Sequence, residues 1–402
     1  MKKAVMYGAG NIGRGFIGQL FRQSGYEVSF IDVNMAVIDR LNSDGRYPVY
    51  ITDGDRYNEY VVDCVRGVDG RDNAAIAEAI ASADIMATAV GVNILKFIAA
   101  PFAGGVKLRM ARGNTTPLNV IICENMIGAD SYFAGMVKEN LSDAEKKYFD
   151  GYIALVEPSI GRMVPATPKE ISEKNPLAVC VEPYCELPVD KAAFKGEIPD
   201  IKGMIPFSPF DFYIRRKLFM HNMSHAICAY LGNLKGYEYI WQAAKDAEIK
   251  LIALRALIES SRALSAEYGV PLEELLIFSE NLIGRFENRL LGDTVARVGR
   301  DTIRKLSGND RLAGAAKLCL KHGIKPVNIC AGIAAGLRFS PDDDASSTEV
   351  AEFTREHGAA AALARYSGIE NQPEIAETVC AAYHLIENGR PMCELISSLQ
   401  IY

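Results

Sequence analysis

The chain of 402 residues has nine cysteines but no CxxC pair, and the closest spacing is Cys180 to Cys185. Its five histidines include no HExxH. Neither residue type shows the spacing of a zinc site, so no metal is expected. An odd thiol count in a chain this long reads as reduced cysteines, most of them small buried hydrophobes, in a cytoplasmic protein. No apolar run approaches the ~18 residues that span a bilayer, so a membrane is not an expected partner. A basic excess is also missing: the net charge is −6, which argues against nucleic acid. Lys2 and Lys3 precede an apolar stretch in the manner of an export signal. Gly8, Gly10, Asn11, Gly13 and Arg14 interrupt it, and no export segment fits. Neither a repeat of solenoid period nor a low-complexity segment is found.

What remains is a globular composition, 49% hydrophobic and 23% charged, in a chain too long for one typical core. The first half alternates strands and helices. Lys3-Ala4-Val5-Met6-Tyr7 is a short apolar run, followed at once by GAGNIGRGFIG. Gly8, Gly10 and Gly13 match GxGxxG. Phe16, Ile17, Leu20 and Phe21 then recur at helical spacing, and Gly25 precedes a second strand, VSFID, that ends in Asp32. In such a unit the first glycine permits the tight turn and the second lets backbone approach a pyrophosphate. The third allows close helix–strand contact, while the helix N-terminus attracts phosphate. Asp32 lies 19 residues after Gly13, where a carboxylate accepts bonds from ribose hydroxyls and repels a 2′-phosphate. Val33 and Asn34 supply no compensating cation, so NAD is expected over NADP. A lone GxGxxG is weak; strand, helix, strand and terminal acid together are not. A later strand at 84–91 places Thr88, Val90 and Gly91 with Asn11, Ile12 and Asn34 among the expected cofactor contacts. Asn119–Cys123 reads as another strand, which puts Asn125 where it could face a nicotinamide or cap a loop.

Beyond a mixed stretch at 150–200, with IALVEP and LAVCVEP as strands, the pattern turns helical. Ser208-Pro209-Phe210-Asp211 reads as a helix start and Gly232 as its stop. Residues 237–268, 270–291, 293–306, 309–322 and 347–366 also show helical spacing. The expected architecture is an α/β N-terminal domain of Rossmann type, residues 1–195, and a mainly α-helical C-terminal domain, residues 196–402.

In KLFMHNMSHAICAYLG, 217–232, helical spacing lines up Lys217, His221 and His225, with Asn222 at the edge of the stripe. Phe219, Met223, Ala226, Ile227 and Tyr230 form the opposite, apolar face. A solvated face would account for the stripe. Beside a nucleotide domain it also supplies what hydride chemistry at a carbinol needs: a base for the hydroxyl proton and donors for the developing oxyanion. Lysine is a poor base at its free pKa near ~10.4, and burial beside other donors would lower it.

These segments together resemble the polyol-specific long-chain dehydrogenase/reductase family, and within it the mannitol-1-phosphate 5-dehydrogenase branch. The resemblance covers nearly the whole chain. It is carried by GAGNIGRGFIG with Asp32-Val33-Asn34, by ICEN at 122–125, by KLFMHNMSHAICAYLG and by RVGRDTIRKLSGNDRL at 297–312. It implies Lys217 as general acid/base, Asn222 and Asn125 as alkoxide donors, His225 as the substrate-orienting group, and catalysis without a metal in a cleft between the domains. The substrate would be a sugar alcohol or ketose, phosphorylated in that branch. Arg297, Arg300, Arg304, Lys305 and Arg311 form a basic stretch suited to a phosphate, with Arg300, Arg304 and Lys305 as the expected contacts; a solvated basic face is the alternative. One segment departs from the family pattern Asn-Ser-x-x-Asp-Arg-x-x-Pro. Here Gly161 stands where aspartate is usual, and Pro158 falls in the Asn-Ser part of the pattern. An unphosphorylated polyol, a sugar acid of the mannonate or altronate type, or a catalytically weak NAD-binding sensor are the competing readings.

Overall fold

A computed structural model describes residues 1–369, 371–391 and 394. The chain divides into two compact units, Met1–Tyr213 and Ile214–Tyr402. The division falls later than residue 195 because residues 204–207 still pair with a strand of the first unit.

In the first unit, eleven strands are β1 Lys2–Tyr7, β2 Tyr26–Asp32, β3 Arg46–Asp53, β4 Arg56–Asp63, β5 Val65–Asp69, β6 Ile85–Thr88, β7 Leu118–Ile122, β8 Ile153–Val156, β9 Val179–Val181, β10 Leu187–Asp190 and β11 Met204–Phe207. Six of them form one parallel sheet in the order β5-β2-β1-β6-β7-β8. Its strands are apolar almost throughout because both faces are covered. Along β1, Ala4 and Met6 enter a core with Phe16, Leu20 and Phe30. Val5 and Tyr7 enter the opposite core with Ile76, Ile80 and Phe102. Each fully buried side chain of this size contributes about 1.5–3 kcal/mol, which offsets the cost of ordering the strands. With β1 central, the chain winds outward in both directions, and the carboxyl ends of β1 and β6 flank the switch point where such sheets bind ligands.

A second sheet, β4-β3-β9, was not read from sequence. Its hairpin pairs Asp53 with Arg56 across the two-residue loop Gly54-Asp55, with Gly54 at φ +60°, and that Gly-Asp dipeptide is the signal that would have found it.

The second unit is helical. The helix carrying the polar stripe starts at Asp211, three residues after the Ser208 expected to cap it, and runs to Leu234 with a π-helical turn, Lys217–Asn222, between α-helical flanks. Gly232 does not end it. A Cβ there would lie 2.9 Å from the Ala243 Cβ, so this glycine serves close packing against the helix Ile240–Lys245, and Gly236 at φ +75° makes the left-handed turn instead. The stretch 293–306 is two short helices, Val295–Gly299 and Thr302–Lys305, parted by Asp301 at φ +66°. A helix missed in the sequence, Val327–Gly336, is buried along its whole length. Its glycines admit the motif helix: a Cβ on Gly332 would meet Ile227 at 2.4 Å and one on Gly336 would meet Tyr230 at 2.9 Å. Among the described residues no helix is long and apolar enough to cross a membrane.

Candidate active site

The glycine-rich turn follows β1 directly. Gly8 has φ +105°, and a Cβ on it would lie 2.4 Å from the Ala89 carbonyl oxygen. On Gly13 a Cβ would lie 2.0 Å from the Gly8 carbonyl oxygen. Around Gly10 nothing comes within 4 Å of that position. The three glycines thus divide as turn, open approach and close contact, which is the division a pyrophosphate site needs. Asn11 and Ile12 open the helix that follows the turn. The Asp32 carboxylate accepts from the Ala9 N–H at 2.7 Å and the Asn34 N–H at 2.9 Å. It therefore ties the turn to the end of β2 and places a carboxylate there. Thr88 ends β6, fully buried, with its hydroxyl unpartnered among the described residues. The loop after it is held by a residue that sequence reasoning passed over. Glu124, 9% exposed, accepts from the N–H groups of Val90 at 3.0 Å and Gly91 at 2.8 Å. Asn125, next in the chain, is exposed. These residues fit a dinucleotide at the carboxyl ends of β1, β2 and β6.

The departing segment is partly buried, and its arginine is interior. Arg162, 4% exposed, donates to the Glu182 carbonyl oxygen at 2.8 and 3.0 Å, to Gly15 O at 3.0 Å and to Gln19 Oε1 at 2.8 Å. A Cβ on Gly161 would come to 3.3 Å from the Tyr184 ring.

In the second unit, Lys217, His221, Asn222 and His225 share one helix. The π turn changes their relation. Its i→i+5 bonding widens the helix so that Asn222 lies one turn on from Lys217, nearer to it than 100° spacing allows. No side-chain propensity announces such a turn. Lys217 is half-buried, and burial, assisted by the Arg311 guanidinium, lowers its ammonium to about 8. Arg311 is itself held by Asp310 at 2.7 Å. Phe219 lies against Gly314, where a Cβ would come within 2.9 Å of the ring, so the segment carrying Asp310 and Arg311 can approach the π turn. His221 is 7% exposed and held neutral, pushed well below its ordinary range by burial first and then by Arg285. His225 stacks on Phe286 with centroids 4.7 Å apart and planes at 7°. Burial, then Arg297, lowers it to about 3.

The basic stretch is dispersed. Arg300 pairs with Asp343, and Arg304 pairs with Asp301 at 2.5 Å and Asp310 at 3.6 Å. Lys305 is 6% exposed and donates to the Val298 carbonyl oxygen at 2.7 Å; burial first and then Arg311 lower it to about 7.

A sequence profile of the mannitol dehydrogenase Rossmann domain matches residues 2–203, and one of the mannitol dehydrogenase C-terminal domain matches residues 210–387. The chain belongs to the mannitol dehydrogenase family. Mannitol 2-dehydrogenase of Pseudomonas fluorescens, solved as a ternary complex with NAD and D-mannitol, is 14% identical, with a TM-score of 0.72 over 100% of this chain and 95% of that one. A D-sorbitol dehydrogenase in substrate-free form is 16% identical, with a TM-score of 0.83 over 98% and 95%. At these identities the likeness is one of fold. It spans both units of this mannitol dehydrogenase family member, the α/β Rossmann domain and the helical one.

Proposed function

We propose that the chain is an NAD-dependent polyol dehydrogenase that interconverts mannitol 1-phosphate and fructose 6-phosphate. The observation that carries the reading is Lys217, an ammonium lowered to about 8 in a π-helical turn. A proton-transfer group is most effective with its pKa near the working pH. NAD, when bound at the glycine-rich turn, supplies the hydride acceptor. Lys217 takes the hydroxyl proton in oxidation and returns it in reduction. Asn222 donates to the alkoxide oxygen in its own turn of helix, and Asn125 is assigned as a further donor. His225 orients the substrate. Oxidation then rises with pH through about 8, as the amine is freed, while ketose reduction falls over the same range.

The test is a screen of NADH oxidation against fructose 6-phosphate, fructose, fructuronate and tagaturonate. Turnover is expected with fructose 6-phosphate and to be much weaker with NADPH, because Asp32 opposes the 2′-phosphate. Equal rates with NADPH, or preference for fructose or a sugar acid, would replace this substrate or cofactor.

The phosphate is assigned to Arg300 and Arg304, with Lys305 as a further cation. Both arginines have exposed heads that would exchange an acidic partner for the substrate phosphate. Arg304→Ala should raise the KM for fructose 6-phosphate by about tenfold or more, the scale of one charge-assisted contact of roughly 2 kcal/mol. Turnover of unphosphorylated fructose should not change. An unaltered KM in both Arg300→Ala and Arg304→Ala moves the phosphate elsewhere.

A further inference from the structure

His225 presents a second question, beyond its place in the stripe. Its Nε2 is sealed from solvent and makes no hydrogen bond among the described residues. Buried polar atoms are seldom left so. A carboxylate oxygen, Asp293 Oδ2, lies 3.5 Å away, with both side chains 14% exposed. That is longer than a formed hydrogen bond, but such contacts in ligand-free sites often close only when substrate is present. The surroundings leave the pair little other freedom. Phe286 covers one face of the imidazole at 4.7 Å, and His221 lies edge-on with centroids 5.9 Å apart. Asp293 is pinned through its backbone: its carbonyl accepts from the Ile240 N–H at 2.9 Å, and Tyr239 bridges Thr294 next to it. Its other oxygen, Oδ1, accepts from Arg297 Nη2. Arg297, Lys305, Arg311 and Arg285 are the cations that act on the ring, and with burial they keep it neutral.

A neutral imidazole carries one proton, and a carboxylate beside one nitrogen draws it there. We propose that Asp293 is the positioning residue of His225: it holds the proton on Nε2 and leaves Nδ1 as an acceptor for a substrate hydroxyl. Arg297 belongs to this arrangement rather than to a phosphate site, since it occupies Oδ1 and so turns Oδ2 to the histidine. The role rests on His225 orienting the substrate, as proposed above.

The experiment is nitrogen NMR on protein labelled at its five histidines, with the His225 signals assigned by their loss in His225→Gln. The intact protein should show His225 as the neutral Nε2–H tautomer from pH 6 to 8. In Asp293→Asn the result should invert. Arg297 has only donors, so it claims the amide oxygen and turns the NH₂ group toward Nε2, which must then accept. The proton moves to Nδ1, and kcat for fructose 6-phosphate should fall at least tenfold with little change in NADH affinity. A wild-type Nδ1–H tautomer or imidazolium overturns the proposal without any variant, as does an Asp293→Asn protein that folds with the tautomer or kcat unchanged. If the wild-type enzyme turns over none of the four screened substrates while Asp293 still sets the tautomer, the polyol reading fails and the Asp293–His225 pairing stands.

Discussion

Lys217→Ala should cut kcat by about 10²-fold or more in both directions, the scale of a lost general acid or base. It should also remove the pH limb near 8 that the titrating ammonium sets. NADH affinity should stay near normal, because the glycine-rich turn and Asp32 lie in the other unit. Lys217→Arg should not rescue: a guanidinium does not release its proton in this range. His221→Ala is the comparison within the same stripe. Its ring is neutral, sealed and edge-on to Phe286 at 5.7 Å, so its loss should lower stability and disturb kcat far less, with the pH limb in place. A crippled His221→Ala beside a Lys217→Ala that keeps its rate and pH profile would transfer the proton to another group.

The same lysine gives a stability signature of opposite sign. Its folded value is about 8 against 10.5 for the free group. Between these values the unfolded chain binds more protons, so stability rises with pH across that window. Below about 8 the folded protein carries a half-buried ammonium at full penalty. Lys217→Met should therefore melt higher than the wild type at pH 7 and lose that advantage toward pH 10. Stabilisation together with inactivity is what a group held for chemistry rather than for folding produces.

The parallel sheet was legible because its signals are local. The run KAVMY, three spaced glycines and a terminal Asp32 each have one physical reading, and they agree. Lys217, His221 and His225 were legible as a stripe, with Asn222 at its edge, for the same reason. What could not be read depends on atoms far apart in sequence. The π turn that brings Asn222 toward Lys217 departs from the 3.6-residue period by which a helix is read in sequence. Arg311 appears in sequence as one more cation in a basic stretch, yet it acts on Lys217, while Arg300 and Arg304 are engaged by Asp343, Asp301 and Asp310. Glu124 reads as a loop carboxylate until Val90 and Gly91 are folded against it. Gly232 misled because a glycine near a helix end has two uses, a left-handed turn and a close approach. Only Ala243, across the helix pair, decides between them.

The glycine-rich turn separates folding from binding within four residues. Gly13→Ala would place a methyl 2.0 Å from a backbone oxygen, that of Gly8. Backbone cannot step aside as a side-chain tip can, so the loss should be on the order of 3 kcal/mol, at the upper end for overpacking. It should appear as a lowered Tm of the protein without ligand. Gly10→Ala meets no atom within 4 Å, and the residue is exposed. Its Tm should be unchanged within about 1 °C, since a surface change of this kind is worth at most ~0.5 kcal/mol. Its NADH affinity should nevertheless fall by about tenfold or more, a loss of at least ~1.4 kcal/mol, because the methyl occupies the space through which backbone reaches the pyrophosphate. Fluorescence titration of NADH into both variants, beside thermal melts, reads the two effects apart. A Gly10→Ala protein that melts and binds like the wild type would show that the open space beside Gly10 is not where phosphate lies, and the turn would have to be reassigned.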